Sequence, residues 1–228
     1  MKKMLFFPLI TGCFLLIGQN FQESIPPEPP ARFIEESKVF TRLLAKIHEG
    51  IVFCYSGETT TTGFFVSDDG WIITAGHKVN SDFPNVDKIF VKLERTADSQ
   101  VFEAEKILMP SFEADLLLFK IDYKPKYYFK TFILPHLFEE NWILGFKGAA
   151  GKTLSSPGYV TYFMTAPKYL LTTAPIFYGN SGSPVINRKG EVLGVAVRMT
   201  TAGDGLFIPG PVVEKYIKES LERENAKE

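Results

Sequence analysis

The chain has 228 residues, 45% of them hydrophobic, with 25 Lys and Arg against 26 Asp and Glu. That length supports a sizeable core in one large or two small domains, and so balanced a charge leaves no electrostatic footprint for nucleic acid and no polybasic membrane patch. Two cysteines, Cys13 and Cys54, exclude a disulfide framework, and without C-x-x-C or paired histidines neither a metal site nor a cofactor is expected.

In chain order, Met1-Lys2-Lys3 followed by a mostly apolar run to Gly18 reads as a targeting segment. The run is short of the roughly 20 residues a spanning helix needs. Residues 1–20 are therefore read as a signal peptide or membrane anchor, with lipidation at Cys13 as a minor variant. Each version places the folded part outside the cytoplasm, periplasmic or extracellular. Residues 21–31 form a linker stiffened by Ile25-Pro26-Pro27-Glu28-Pro29-Pro30. Over residues 31–49, Phe33, Ile34, Phe40, Leu43, Leu44 and Ile47 recur at helical spacing, and Gly50 reads as the stop.

Short strands follow. Residues 51–55 and 60–67 are two, with a turn at Asp68-Asp69-Gly70 into residues 71–74. Residues 88–95, 101–108 and 115–121 continue the set. A crossover from Lys124 leads to a second set at 142–146, 158–165, 169–173, 185–186, 192–199 and 205–209. Pro211 opens a final helix. Two sets of similar length predict two barrels, one over about 51–123 and one over about 141–210, with a helix over about 211–225, all within a folded unit of residues 32–228.

The candidate chemistry centres on Gly179-Asn180-Ser181-Gly182-Ser183-Pro184, where glycines flank a serine between strand-like runs. By itself this is a loop or a nucleophile turn. Serine chemistry also needs an imidazole to take the proton and a carboxylate to fix the imidazole's tautomer. Of three histidines, His48 ends the first helix and His136 lies in the crossover; both read as structural or solvated. His77 stands at the end of the strand 71–74, where a scaffold can aim it. Asp115 heads the apolar run Leu116-Leu117-Leu118-Phe119, a costly place for a carboxylate without a partner.

The blocks around Thr62-Gly63-Phe64-Phe65-Val66 and Ala75-Gly76-His77, around Ala114-Asp115-Leu116-Leu117, and around Ser181 resemble those of trypsin-like (chymotrypsin-clan) serine proteases, closest to the bacterial Deg/HtrA-type branch. The order His, Asp, Ser is that of the clan, with separations of 38 and 66 residues, and the resemblance covers about residues 51–217. It implies an all-β, chymotrypsin-like fold of two six-stranded barrels. It implies a serine endopeptidase acting on protein or peptide substrates through Ser181, His77 and Asp115, with the N–H groups of Gly179 and Ser181 as the oxyanion hole. The base of the substrate pocket falls near Pro175 and Ile176 and its walls near Ala196, Val197, Arg198 and Met199, a pocket without an acid and so unsuited to Lys or Arg. Small or medium apolar residues are the expectation, with Arg198 limiting or redirecting it.

Three departures stand out. Ser183 replaces a family glycine, Gly76 replaces a small alanine-like residue, and Asn180 replaces the aspartate that pairs with a newly cut N-terminus in digestive members. The chain ends after the last helix, which predicts a form without the peptide-binding PDZ module of Deg/HtrA proteins. The competing reading is a catalytically inactive fold of this type serving as a binding module. It predicts a broken triad position and has only Ser183 in support. A strand-rich envelope protein with fortuitous motifs is the blander third reading, and it would leave His77, Asp115 and Ser181 far apart. Neither oligomeric state nor the fate of the N-terminus, cleaved or kept as a membrane attachment, is set by these residues.

Overall fold

The computed structural model describes residues 31–77, 88–108, 111, 114–148, 151–163 and 169–227. The predicted targeting segment and most of the predicted linker, residues 1–30, lie outside these. Helix α1 (Ala31–Ile47) runs into a 3₁₀ turn (His48–Gly50) and then into β1 (Ile51–Ser56). On α1, Phe40, Leu43 and Leu44 pack at the predicted spacing against the core. Gly50 is not a left-handed stop. It is required because a Cβ there would meet Tyr127 at 2.9 Å.

The first set is β1, β2 (Thr59–Phe65), β3 (Trp71–Ala75), β4 (Phe90–Lys92), β5 (Val101–Glu103), β6 (Lys106–Ile107) and β7 (Leu116–Lys120). Its hydrogen-bonded order is β5-β4-β1-β2-β3-β7-β6. The sequence predicts one strand over 101–108, but two short strands form. The chain changes partner between them: Ala104 N–H bonds Ile89 O on the β4 side and Glu105 N–H bonds Lys120 O on β7, each at 2.8 Å. One bent segment thereby joins both edges of the sheet, which protects edges that would otherwise stand open.

The second set is β8 (Glu140–Phe146), β9 (Lys152–Leu154), β10 (Gly158–Phe163), β11 (Leu170–Thr172), β12 (Pro184–Ile186), β13 (Val192–Met199) and β14 (Gly205–Pro209). The order β10-β11-β14-β13-β12-β8 closes on itself because β10 also pairs with β8, and β9 hangs on β8. The architecture is a chymotrypsin-like double barrel. Helix α2 (Gly210–Asn225) has Pro211 in its first turn and buries Val213, Tyr216 and Ser220 on one face. It packs on β7 of the first barrel and on β13 and β14 of the second.

Each barrel has its own core: Val52, Phe65, Ile72, Val91 and Phe119 fill the first, and Ile143, Val160, Val185, Leu193 and Phe207 fill the second. A third cluster, with Phe53, Phe64, Leu144, Phe146, Val197 and Tyr216, lies between barrels and under α2. Each such side chain contributes about 1.5–3 kcal/mol on burial, so the seam between barrels is held as firmly as their interiors. The candidate site sits at that seam.

Cys54 is buried in the first core, and burial pushes its thiol pKa up. The thiolate is the reactive form, so both charge and access are withheld. Native Cys54 should alkylate with iodoacetamide at least about 100-fold more slowly than in denaturant. Peptide mass mapping of the Cys54 peptide reads this directly, and equal rates in both states would contradict the burial.

Candidate active site at the barrel seam

His77 follows β3 after the single residue Gly76, and Asp115 immediately precedes β7, the neighbour of β3 in the sheet. The pairing of Ala75 with Leu116 therefore brings them together across 38 residues of sequence. His77 Nδ1 lies 3.0 Å from Asp115 Oδ1 and 2.9 Å from Oδ2. The His77 backbone N–H also donates to Oδ1. A carboxylate accepts only, so the proton of the imidazole belongs on Nδ1, which makes Nε2 the acceptor nitrogen of the ring.

Asp115 holds an unusual backbone for a residue other than glycine, with φ 52. Aspartate is among the few residues that tolerate this region, at some conformational cost. Gly76 makes room for the turn: its N–H donates to Asp115 O at 2.8 Å, and a Cβ would meet Leu116 N at 2.8 Å. The glycine at this position, a minor replacement when read as sequence, is thus imposed by close backbone approach. Asp115 is 7% exposed at its side chain. Burial pushes its pKa up, but hydrogen bonds and charge from His77, joined by Arg198, outweigh this and hold it below the usual carboxylate value.

Ser181 lies in the turn between β11 and β12. The glycines on either side, Gly179 and Gly182, have φ 94 and φ 83, and a Cβ on Gly182 would collide with Thr62 O and Thr74 Oγ1. Ser181 is docked on the first barrel: its carbonyl accepts the Thr62 N–H at 2.9 Å and the Thr61 hydroxyl. Strand β13 ties it to Asp115. Ser181 Oγ donates to Val197 O at 3.0 Å, and the next residue, Arg198, places Nη2 3.2 Å from Asp115 Oδ2. His77 and Asp115 are thus in direct contact, and Ser181 is joined to them through the Val197-Arg198 segment of β13. In this rotamer the Ser181 proton points to Val197 rather than to an imidazole.

The turn that precedes Ser181 has its carbonyls held away from the cleft. Tyr178 O accepts Gly148 N–H at 2.7 Å, and Gly179 O accepts Thr62 Oγ1–H at 2.7 Å. A peptide N–H points opposite to its C=O, so the Gly179 N–H faces the other way. Asn180 braces the turn from inside, accepting Phe177 N–H at Oδ1 (3.0 Å) and donating from Nδ2 to Phe146 O (3.4 Å). Beside the turn, Lys147 Nζ sits 3.6 Å from the Phe177 ring centroid, and Tyr178 is 90% exposed.

The remaining predicted residues divide. Ile176 and Ala196 are buried in the second barrel's core, and Val197 is buried in the seam with only its carbonyl presented to Ser181. Pro175 is half-buried and Met199 is exposed. Arg198 is half exposed and engaged with Asp115. Ser183 is fully buried, its Oγ unpartnered among the described residues and set against Gly145, whose missing side chain gives it room. His48 lies in the 3₁₀ turn and His136 is exposed in the crossover. Sequence reasoning missed Thr61, Thr62 and Thr74. The available signal was a polar residue at buried positions of strands otherwise filled with Phe and Ile.

Comparison with known proteins places the chain in a family. The family model described as a trypsin-like peptidase domain matches residues 61–195. Serine protease HTRA1 of Xenopus laevis is 33% identical over 183 residues, covering 72% of this chain and 37% of that protein. A probable periplasmic serine endoprotease, DegP-like, of Pseudomonas putida is 28% identical over 160 residues, covering 64% of this chain and 30% of that protein. The crystal structure of the serine endoprotease from Yersinia pestis has the same fold, with TM-score 0.68 at 23% identity, over 80% of this chain and 66% of that one. The chain spans about a third of the length of these curated relatives. On the match over residues 61–195, the chain belongs to the trypsin-like peptidase domain family, in its Deg/HtrA-type branch.

Proposed function

We propose that this chain is a serine endopeptidase that hydrolyses peptide bonds in proteins through a covalent acyl-enzyme. Ser181 is the nucleophile, His77 the general base and then acid, and Asp115 the orienting carboxylate. The N–H groups of Gly179 and Ser181 form the oxyanion hole. The observation that carries the reading is the contact of His77 Nδ1 with both Asp115 oxygens, at 2.9 and 3.0 Å, one strand away from the Ser181 turn. Attack requires one χ1 rotation of Ser181 from Val197 O toward His77 Nε2, a staggered-to-staggered step. Looser geometry of this kind is common before substrate binds.

The site works in an exported protein on this reading. Its support is the apolar N-terminus and the similarity to a probable periplasmic serine endoprotease of Pseudomonas putida. No described helix is long and apolar enough to cross a membrane.

Labelling with a fluorophosphonate tests the chemistry, because phosphonylation needs an activated hydroxyl and a formed oxyanion hole. The expected result is one adduct per chain, located at Ser181 by peptide mapping. A folded protein that takes no label at Ser181 overturns the proposal and favours the binding-module reading.

A further inference from the structure

We propose that Thr62 is a positioning residue that locks the oxyanion turn from the opposite barrel, an inference that rests on the serine endopeptidase reading. Thr62 lies on β2 of the first barrel and is fully buried. Its Oγ1 accepts the Phe146 N–H at 2.9 Å and lies 2.7 Å from Gly179 O. A hydroxyl has one proton, and with Phe146 N–H as donor to it, that proton goes to Gly179 O. The backbone of the same residue closes the clamp: Thr62 N–H donates to Ser181 O at 2.9 Å, and Thr62 O accepts Thr74 Oγ1–H at 2.7 Å. One residue therefore grips the carbonyls on both sides of Asn180.

The reason such a grip matters is Gly179 itself. Glycine has access to both signs of φ, so the two peptide planes flanking it can flip at low cost. A flip of the 178–179 plane turns the Gly179 N–H out of the cleft and removes a donor. Three restraints oppose it: Gly148 N–H on Tyr178 O for the plane before, and for the plane after the Asn180 N–H on Phe177 O at 2.9 Å and the Thr62 hydroxyl on Gly179 O. The first two are backbone bonds and survive any side-chain change. The Thr62 hydroxyl is the one of the three that a point substitution removes. Thr62 touches no reacting atom; it acts through Gly179.

The test uses the full chain with Thr62→Val, which keeps shape but loses the hydroxyl, and Thr62→Ser, which keeps the hydroxyl. Rates are normalised to the active fraction titrated with fluorophosphonate. The valine variant should lose about 10- to 100-fold in kcat, less than the 100- to 1,000-fold of deleting a donor outright, with KM changed by less than about threefold. Its affinity for a peptide aldehyde, which places a hemiacetal oxyanion in the hole, should fall by a similar factor. Serine should recover activity to within about threefold of the parent. A valine variant with unchanged kcat, an unchanged aldehyde affinity, or a serine variant as impaired as valine each overturns the proposal. If valine does not fold, Thr62→Ala repeats the measurement without added bulk, and failure of both to fold assigns Thr62 to stability alone and overturns it too. A parent chain that is folded yet takes no fluorophosphonate label refutes the serine endopeptidase reading instead, which keeps the two failures distinct.

Discussion

On the proposed mechanism, Ser181→Ala should lower peptide hydrolysis by about a million-fold in kcat and leave the protein folded. The magnitude follows from the nucleophile acting as one unit with its base, so that loss of either costs nearly as much as loss of the whole triad. The fold survives because of where the hydroxyl sits. Ser181 Oγ makes its hydrogen bond to Val197 O at 3.0 Å, a net contribution of about 1 kcal/mol. The backbone of the turn is held by other groups: Thr62 N–H on Ser181 O, and Gly182 N–H on Ala196 O at 2.7 Å. The melting temperature should therefore fall by no more than about 2–4 °C. Hydrolysis of casein by parent and variant, read beside thermal unfolding, checks both halves. Retention of more than about a tenth of the parent rate would show that the chemistry resides elsewhere; a collapse of the melting transition would show that the loss is structural.

The candidate triad was legible because each proposed member is flagged by local physics. An acid heading a buried apolar run, a histidine closing a strand and a serine between glycines are each unusual alone, and chain order joined them. What was not legible depends on contacts between distant residues. Thr62 and Gly179 are 117 residues apart, and nothing in the run Thr59-Thr60-Thr61-Thr62 says which hydroxyl meets which carbonyl. Arg198 was placed among the pocket walls, but it reaches Asp115 83 residues away. That contact follows from β13 packing against β3, the strand that pairs with β7, a matter of barrel packing.

Ser183 illustrates the converse, a sequence alarm answered by the structure. It stands at a family glycine, which raised doubt about the turn. Positive φ falls at Gly179 and Gly182 and not at Ser183, so no strain follows from its side chain. The need there is for space, which Gly145 on the neighbouring strand β8 provides. Its buried hydroxyl lacks a partner among the described residues, an arrangement that costs about 1–3 kcal/mol. That is a stability cost to the second barrel, and it leaves the backbone hydrogen bonds of the Ser181 turn in place. Strand boundaries failed for a similar reason: nothing local in residues 101–108 marks where the segment turns from Ile89 to Lys120 as its backbone partner, between Ala104 and Glu105.

Asp115→Asn is the sharper test of the proposed mechanism, since it alters a proton position and little else. Asparagine tolerates the φ 52 backbone as well as aspartate does, so the turn into β7 is kept. Its Oδ1 can still accept the His77 backbone N–H that Asp115 Oδ1 now accepts. The amide NH2 then stands where Oδ2 was, facing His77 Nδ1 and the Arg198 guanidinium. A donor facing Nδ1 selects the imidazole with its proton on Nε2, the tautomer unable to take the proton of Ser181. The expected loss is about 10,000-fold in kcat, with KM changed little, because substrate contacts are untouched. Arg198 gains an unfavourable neighbour and should swing toward solvent, which its half-exposed position permits. Steady-state kinetics on a peptide substrate, with far-UV circular dichroism to confirm folding, provides the check. A folded variant within tenfold of the parent kcat would mean that Asp115 does not set the tautomer of His77, and the triad would have to be assigned differently.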